Sequence, residues 1–291
     1  MKKYEFDWID AFSSAPFGGN PCVVVHDAAD IPVETRMQLV RETRLSECAY
    51  LVPSDKADFG VRYYLTYDEI PLAGHPTIAT VASLISRGMA GPGAFTLEVG
   101  AGVLPIEIAE DHTITMTQQA PEFGERFKPG LVADIYGLDA EEIVGEPQIV
   151  STGTAFCITL LRDKDALRRA VIDPAKLDAF RSHVTHAQAG IMEPFLVTLG
   201  GETEAGDTFS RLLLAPPMPP EDSFTGSATG CMAAYLWHHG HIAEPSFVAE
   251  QGHWMGLAGE AKVEVLGPRE AITGVKVGGK GAVLMSGEIS L

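Results

Sequence analysis

Two stretches of this chain repeat one pattern at an interval of 152 residues. The first, residues 69–84, reads EIPLAGHPTIATVASL, and the second, residues 221–236, reads EDSFTGSATGCMAAYL. They share Glu, Gly, Thr, Ala and Leu at matching positions, and an arginine in an apolar run precedes each of them, at Arg62 and Arg211. The interval is too long for a solenoid of short repeats. The repetition therefore predicts an α+β fold with two similar domains, each a mostly antiparallel sheet curled around a central helix.

Short apolar runs bounded by Pro, Gly or Asp predict strands in both halves of the chain. These runs lie at 22–27, 48–53, 61–67, 93–99 and 114–119 in the first half, and at 147–153, 156–161, 195–200 and 209–215 in the second. Helical spacing of apolar residues predicts helices over 32–43, 77–88 and 226–239. Each half is thus expected to place a well-defined helix between groups of strands.

The segment 118–130 is the best candidate for a linker. It reads QQAPEFGERFKPG, is polar, and interrupts every apolar period with two prolines and two glycines. We therefore expect an N-terminal domain over residues 1–120 and a C-terminal domain over 121–278. The last strand, 279–291, is a candidate addition to the N-terminal domain.

The charge of the chain argues against several classes of partner. Lys and Arg total 21 against 39 acidic residues, which gives a formal net charge of −18. Such a chain repels a phosphate backbone, so nucleic acid is not an expected partner. The sequence has no Lys/Arg-rich run that would favour a membrane surface and no run of about 18 apolar residues that would span a membrane. We therefore expect no membrane partner.

Two further features predict a cytoplasmic location. The N-terminal segment MKKYEFDWIDAFSS lacks the apolar core of a signal peptide. The four cysteines lack CxxC spacing and are expected to be reduced, mostly buried thiols. They are Cys22, Cys48, Cys157 and Cys231.

Both repeated stretches place glycine and small polar residues where a strand passes into a helix. The first backbone N–H groups of a helix have no partner within it, and the helix dipole adds partial positive charge there, so such an end binds anions. Two facing helix starts would hold a small carboxylate-bearing molecule in a cleft between the domains, with a hydroxyl donor from Ser227 or Thr225. A pair of ordinary N-caps remains an alternative, because Ser, Thr and Asp are favoured at that position anyway.

Three residues are candidates for moving or holding a proton. Glu47 lies in the segment RLSECAYLVP, where it is either an edge-exposed charge or a buried carboxyl group with a raised pKa. The second kind suits general acid–base catalysis. His75, at a helix start, would be kept neutral by the dipole and could polarise a substrate oxygen. Asp222 could cap its helix or orient a substrate amine.

No sequence motif indicates a metal or an organic cofactor. The histidine-rich segment HHGH at 238–241 lies at the end of a predicted helix, where histidines complement the dipole. No Cys or carboxylate cluster completes a zinc site around it. The chain has no GxGxxG after a strand, no P-loop and no GxSxG. We therefore expect neither a metal nor a cofactor.

Five segments, in order along the chain, resemble the successive signatures of the PhzF family of phenazine-biosynthesis-like isomerases. They are DAFSSAPFGGNPCVVV (10–25), LSECAYLVP (45–53), DEIPLAGHPTIAT (68–80), EDSFTGSATGCMAAYL (221–236) and EQGHWMG (250–256). The resemblance implies the diaminopimelate-epimerase-like fold, with two pseudo-symmetric domains and the active site in the cleft between them. It also implies a homodimer and a cofactor-free isomerisation of trans-2,3-dihydro-3-hydroxyanthranilate by proton transfer.

The same resemblance implies which residues act. By position, the catalytic glutamate, histidine and aspartate of the family fall on Glu47, His75 and Asp222. The groups that would bind a substrate carboxylate fall on Gly74, Gly226 and Ser227. Glu47 would remove a proton from one carbon and return it to another, while the histidine and the aspartate would position the substrate's polar groups and help to relay protons.

The chain also departs from related enzymes. Racemases and epimerases of this fold use two cysteines, one at each helix start, and the matching positions here are Ala73 and Thr225, so two-thiol racemisation is not expected. Ser223 and Phe224 replace the family's usual Pro-Ala pair, which puts the phenazine substrate in question and could narrow the pocket. A racemase or epimerase that works through the same glutamate and histidine is a second hypothesis. A ligand-binding protein without turnover is a third.

Overall fold

The computed structural model describes residues 2–184, 193–216 and 218–291 of the chain. The strands are β1 Lys3–Ala11, β2 Asn20–Val25, β3 Cys48–Val52, β4 Phe59–Tyr64, β5 Glu69–Ile70, β6 Gly93–Val99, β7 Gly102–Ile108, β8 Ile114–Gln118, β9 Glu122–Arg126, β10 Gln148–Ser151, β11 Ala155–Leu160, β12 Phe195–Leu199, β13 Thr208–Leu213, β14 Glu221–Asp222, β15 Ser246–Gln251, β16 Gly259–Leu266, β17 Gly274–Gly279 and β18 Gly281–Ser290. The helices are α1 Val33–Thr43, α2 Gly74–Ser86, α3 Pro129–Tyr136, α4 Lys164–Arg169, α5 Pro174–His183 and α6 Gly226–His238. The helices lie between groups of strands, and those strands pair mostly antiparallel, which confirms the α+β class.

The repetition in the sequence is present in the way the strands pair. In the first copy β1 pairs antiparallel with β2, β2 parallel with β3, β3 antiparallel with β4, and β4 parallel with β6. In the second copy β10, β11, β12, β13 and β15 pair in the same alternation of directions. In each copy a two-residue strand, β5 or β14, pairs with the strand before it and leads into a 13-residue helix, α2 or α6. The prediction of two similar units is therefore confirmed.

The helices α2 and α6 are buried on nearly every side because their sequences are apolar or small all round. In α2 every residue from His75 to Leu84 is buried, and in α6 every residue from Ala228 to Leu236. Helix α2 packs on β1, β2, β3 and β18, while α6 packs on β10, β11 and β12. Each unit thus has a buried central helix, and the packing of the whole helix determines where its first turn lies.

The chain forms two compact units that alternate along the sequence. The first comprises the chain up to Thr117 with Gly256–Gly259 and Gly278–Leu291. The second comprises Gln118–Met255 and Glu260–Val277. The C-terminal strand β18 pairs antiparallel along the whole of β1, so both ends of the described chain lie in the first unit.

Two expectations about local structure are wrong. The chain passes from the first unit to the second at the start of the candidate linker 118–130, but the segment is not irregular, because it contains β9, which pairs antiparallel with β10. Exposed and half-buried residues alternate along β9, and this single polar face gives the segment its linker-like composition. The helix predicted over 77–88 begins three residues earlier, at Gly74, because Pro76 is tolerated in a first turn, where N–H groups have no acceptor within the helix.

None of the helices in the described ranges combines the length and the hydropathy that a membrane crossing requires.

Candidate active site

The start of α2 carries a buried histidine. Ala73, the N-cap residue, makes no side-chain hydrogen bond to the helix, so an ordinary N-cap is not present here. His75 follows in the first turn with its side chain 6% exposed, and its Nε2 atom has no hydrogen-bond partner among the described residues. Burial lowers the pKa of His75 to about 3. The imidazole is therefore neutral near pH 7 and has a buried nitrogen suited to bonding a ligand.

Glu47 lies in the loop between α1 and β3. It immediately precedes β3, which begins at Cys48. The Glu47 side chain is half-buried, and its Oε2 atom is shielded from solvent. Burial raises the pKa values of Cys22 and Tyr63, and the charge of Glu47 adds to both shifts. Glu47 therefore combines partial access to solvent with a charge that acts on the buried interior of the first unit.

Tyr63, on which the charge of Glu47 acts, is joined to the start of α2. Its side chain is fully buried in β4, and its hydroxyl lies 2.7 Å from Thr77 Oγ1. Thr77 donates in turn to the carbonyl of Ala73 at 2.6 Å, so the pair of hydroxyls is joined to the residue that precedes the helix. The charge of Glu47 thus acts on a tyrosine that is hydrogen-bonded to the first turn of α2, the turn that carries His75. That Glu47 and His75 meet at one site stays a prediction.

The start of α6 is built from different polar groups. Thr225 is the N-cap residue, but its hydroxyl makes no cap hydrogen bond and donates instead to Asp222 Oδ2 at 2.6 Å. Gly226 is buried and Ser227 half-buried in the first turn, where backbone N–H groups have no acceptor within the helix. An ordinary N-cap is thus missing at this helix too, and the first turn keeps the character of an anion-binding end.

Two glutamines that sequence reasoning missed hold this helix start in place. Gln251, at the end of β15, is fully buried. Its Oε1 accepts from the backbone N–H of Thr225 at 3.0 Å, and its Nε2 donates to the carbonyl of Asp222 at 2.8 Å. Gln118 donates to the carbonyl of Gly226 at 2.9 Å. The one available signal was the EQGHWMG segment, which contains Gln251 and supported the family resemblance.

The predicted site residues divide between the two units. The first unit holds Glu47, Gly74 and His75, and the second holds Asp222, Gly226 and Ser227. Within the first unit the histidine lies in the helix turn to which Tyr63 is hydrogen-bonded, and the charge of the glutamate acts on Tyr63. Within the second the aspartate is hydrogen-bonded to the residue that precedes α6. That both sets act on one substrate stays a prediction.

The four cysteines are poor candidates for nucleophiles. All of them are free thiols and buried. Burial raises the pKa of Cys48 and Cys157 to about 12 and that of Cys231 to about 11. A thiol with a raised pKa supplies little thiolate near neutral pH, so the chemistry of the helix starts does not come from these side chains.

The histidines at the end of α6 bond to the protein itself. His238 Nδ1 lies 2.9 Å from the carbonyl of Arg269, and His239 Nε2 lies 2.8 Å from Gln148 Oε1. Within the described ranges, no group of three or more His, Cys, Asp and Glu side chains is arranged to hold a metal ion. These contacts give the HHGH segment a structural explanation.

The substituted pair before Thr225 lies in the interior. Phe224 is fully buried and Ser223 is buried as well. Phe224 therefore contributes to the packing of the second unit. That it narrows a substrate pocket stays a prediction.

Known proteins resemble the chain over almost its full length. A profile of the family described as phenazine biosynthesis-like protein matches residues 9–287. The uncharacterized isomerase YfhB of Bacillus subtilis is 32% identical over 98% of this chain and 98% of its own. A trans-2,3-dihydro-3-hydroxyanthranilate isomerase of Pseudomonas fluorescens is 28% identical over 97% of this chain and 98% of its own.

A solved structure gives the same result. The crystal structure of a PhzF-family phenazine biosynthesis protein of Bacillus anthracis matches with a TM-score of 0.86 and 25% identity, and the match covers 100% of both chains. This likeness confirms the diaminopimelate-epimerase-like fold that the sequence motifs predicted. Since the profile spans nearly the whole chain and the relatives are named isomerases, the chain belongs to the phenazine biosynthesis-like (PhzF) family and is an isomerase.

Proposed function

We propose that the chain is a cofactor-independent isomerase that moves a proton within a small cyclic or amino-acid-like carboxylate, with Glu47 as the acid/base. The substrate is of the trans-2,3-dihydro-3-hydroxyanthranilate type, as in the name of the Pseudomonas relative. The enzyme acts as a homodimer in a biosynthetic process.

The reaction needs no oxidant and no external proton donor. The Glu47 carboxylate takes a proton from a C–H bond, and the bonding electron pair moves into the conjugated system of the substrate. Another carbon then takes the proton back from the Glu47 carboxyl group, so the base is regenerated. His75, neutral because it is buried, donates a hydrogen bond to a substrate oxygen and stabilises the charge that develops there.

One observation carries this proposal. His75, in the first turn of α2, has a buried nitrogen without a hydrogen-bond partner among the described residues, and the charge of the half-buried Glu47 acts on Tyr63, which is hydrogen-bonded to that same turn. An unused polar atom in the interior costs free energy. A substrate that bonds to this nitrogen would supply the missing partner and would explain why the protein leaves the atom unbonded.

The remaining predicted residues bind the substrate. The N–H groups at Gly74, Gly226 and Ser227 take the carboxylate, because the first turns of α2 and α6 have N–H groups without acceptors in the helix. Asp222 orients the amino group. Thr225 and Ala73 stand where thiol-dependent racemases of this fold have cysteines, which favours an isomerase over a two-thiol racemase.

The proposal is tested with Glu47→Gln in D2O. Wild-type protein is incubated with trans-2,3-dihydro-3-hydroxyanthranilate, and deuterium incorporation and product are followed by NMR. We expect Glu47→Gln to slow exchange and product formation by about 10²- to 10⁴-fold, the usual contribution of a general acid/base. Glu42→Gln is the matched control, because Glu42 is exposed on α1 and its charge is lost without any effect expected on turnover.

Each other outcome points to a different function. Exchange in Glu47→Gln at the wild-type rate removes Glu47 from its role. Exchange with inversion at a stereocentre and no shift of the double bonds identifies the non-thiol racemase or epimerase. Binding without exchange in the wild type identifies a ligand-binding protein.

A further inference from the structure

One buried amide fixes the segment that carries Asp222. Besides its bonds to the backbone of Asp222 and Thr225, Gln251 donates through Nε2 to Thr225 Oγ1 at 3.2 Å. The orientation of this amide is therefore determined. The reverse orientation would set its NH2 group against an N–H donor and its carbonyl against another carbonyl oxygen.

This orientation also determines the direction of the Thr225 hydroxyl. Because Thr225 Oγ1 accepts from Gln251, its own hydrogen points to Asp222 Oδ2, which lies 2.6 Å away. A hydroxyl that donates to a carboxylate favours the ionised carboxylate. In this contact Asp222 is the hydrogen-bond acceptor.

The residue before Asp222 is held just as firmly. Glu221 and Arg211 form a two-point ion pair with N–O distances of 2.9 and 2.7 Å, and both side chains are largely shielded from solvent. Arg211 also donates to the carbonyl of Leu167 at 3.0 Å. Since this pair neutralises Glu221, the net negative charge of the segment resides on Asp222.

The first unit has apolar residues at all three matching positions. The residues that match Asp222, Thr225 and Gln251 are Ile70, Ala73 and Val99. The first two matches follow from the interval of 152 residues in the sequence. The third follows from strand register, because β6 pairs parallel with β4 as β15 pairs with β13. The three polar groups occur together in one copy and are absent together from the other, as expected of side chains that act together.

We infer that Gln251 and Thr225 are positioning residues, which orient the Asp222 carboxylate to accept a hydrogen bond from a substrate amino group. The site then selects carboxylates with a neighbouring amino group over the same acids without one. This inference rests on the proposed function, in which Asp222 takes the amino group and the start of α6 takes the carboxylate.

The test compares two stable ligands that differ only in the amino group. Dissociation constants of 3-hydroxyanthranilate and 3-hydroxybenzoate are measured by calorimetry for the wild type, Thr225→Val, Thr225→Ser and Gln251→Met. We expect Thr225→Val and Gln251→Met to weaken 3-hydroxyanthranilate binding about 10-fold and to change 3-hydroxybenzoate binding by less than about 2-fold, as for loss of a hydrogen bond to a charged group. Thr225→Ser keeps the hydroxyl and is expected to bind both ligands as the wild type does.

Thr229→Val is the matched control. Thr229 lies one turn into α6, and its hydroxyl donates to the carbonyl of Thr225 at 3.0 Å, so its loss removes a buried hydroxyl without touching the carboxylate. Both affinities should stay at the wild-type values. Melting temperatures of all variants identify any that fail to fold. If one does, the affinities of Thr225→Ser are compared with those of the wild type.

Several results would overturn the inference. They are equal weakening of both ligands in Thr225→Val, failure of Thr225→Ser to retain the wild-type affinity, and a wild-type protein that binds the two ligands equally or binds neither. The measurement needs no turnover. A protein that discriminates the ligands as expected but gives no deuterium exchange would refute the proposed isomerisation and leave the role of Gln251 and Thr225 standing.

Discussion

Burial decides what His75 can do chemically. An exposed histidine is partly protonated near neutral pH, whereas the desolvated imidazole of His75 has its pKa lowered to about 3. It therefore offers a neutral ring over the whole physiological range. The free energy of unfolding therefore falls at low pH, because this imidazole binds a proton in the unfolded chain but not in the folded chain.

This cost gives a prediction for His75→Asn. The pKa is about 3 in the folded chain and about 6.5 when unfolded, so the wild type should lose about 2 kcal/mol of unfolding free energy through this group between pH 7 and pH 5. His75→Asn should not show that part of the loss. Urea unfolding at the two pH values measures it. His112→Asn, at an exposed turn position, is the control and should lose as much as the wild type; equal losses in all three proteins would contradict the shift.

At the scale of single residues, the sequence predicted which residues are candidates for the site better than it predicted which residues contact them. Glu47, His75 and Asp222 could be singled out because each lies in or beside a recognisable pattern. Tyr63 and Gln251 could not, since their roles depend on which residues lie across from them in the folded sheet. From sequence alone, a tyrosine or glutamine of this kind is assigned to the core or to a loop. Its hydrogen-bond partners become known only from the strand register.

At the scale of elements, helix α2 is anchored at its far end by one buried carboxylate of β1. Asp7 accepts hydrogen bonds from Ser83 at 2.6 Å, from Arg87 at 2.6 and 3.0 Å, and from Ser286 at 2.6 Å, and it lies 3.0 Å from His26 Nε2. Burial alone would raise the pKa of Asp7, but these partners together hold it well below its usual range. The carboxylate thus joins the end of α2 to β1 and β18, and it helps to set where the first turn with His75 lies.

Replacement of this carboxylate should be costly. Asp7→Asn leaves Arg87 without its buried partner, and we expect a loss of about 3 kcal/mol in urea unfolding. The lowered pKa adds a pH dependence: this stability is present above about pH 4 and is lost as the pH falls further toward the folded pKa. Asp7→Asn should therefore show a shallower decline below pH 4 than the wild type.

The same pair of strands supplies the control for Asp7. Lys3 and Glu288 form an exposed ion pair between β1 and β18 at 2.8 Å. Glu288→Gln should cost less than about 1 kcal/mol. A loss in Asp7→Asn no larger than this would show that the buried cluster does not stabilise the fold.

Element boundaries were the weakest part of the sequence prediction, and two cases show why. The start of α2 was placed at residue 77 because the helical apolar spacing begins there, yet Pro76 is compatible with a first turn. Strand β9 was taken for a linker because its exposed face is polar and glycine interrupts it. Both errors concern ends and edges, where local composition is least constrained by the core.

At the scale of the whole molecule, duplication accounts for the fold and divergence for the chemistry. Both copies keep the same strand pairing and a central helix of 13 residues. This much could be predicted from one sequence because the interval between the copies is regular around the helix starts. The sequence reveals the divergence between the copies only in part. The aligned stretches show that Thr225 in the second copy matches Ala73 in the first. The match between Val99 and Gln251 required the register of the folded strands.

The absence of thiols from both helix starts leads to a prediction for the whole chain. All four cysteines are buried, and burial raises the pKa of each of them. A thiol reagent such as dithionitrobenzoate should therefore leave the native protein unmodified over minutes and leave its isomerase activity intact, whereas all four cysteines should react after unfolding in urea. Ser290→Cys, which places a thiol at an exposed end of β18, is the positive control and should react at once. A native cysteine that reacts as fast as this control, with parallel loss of activity, would establish a catalytic thiolate and return the chain to thiol-dependent chemistry.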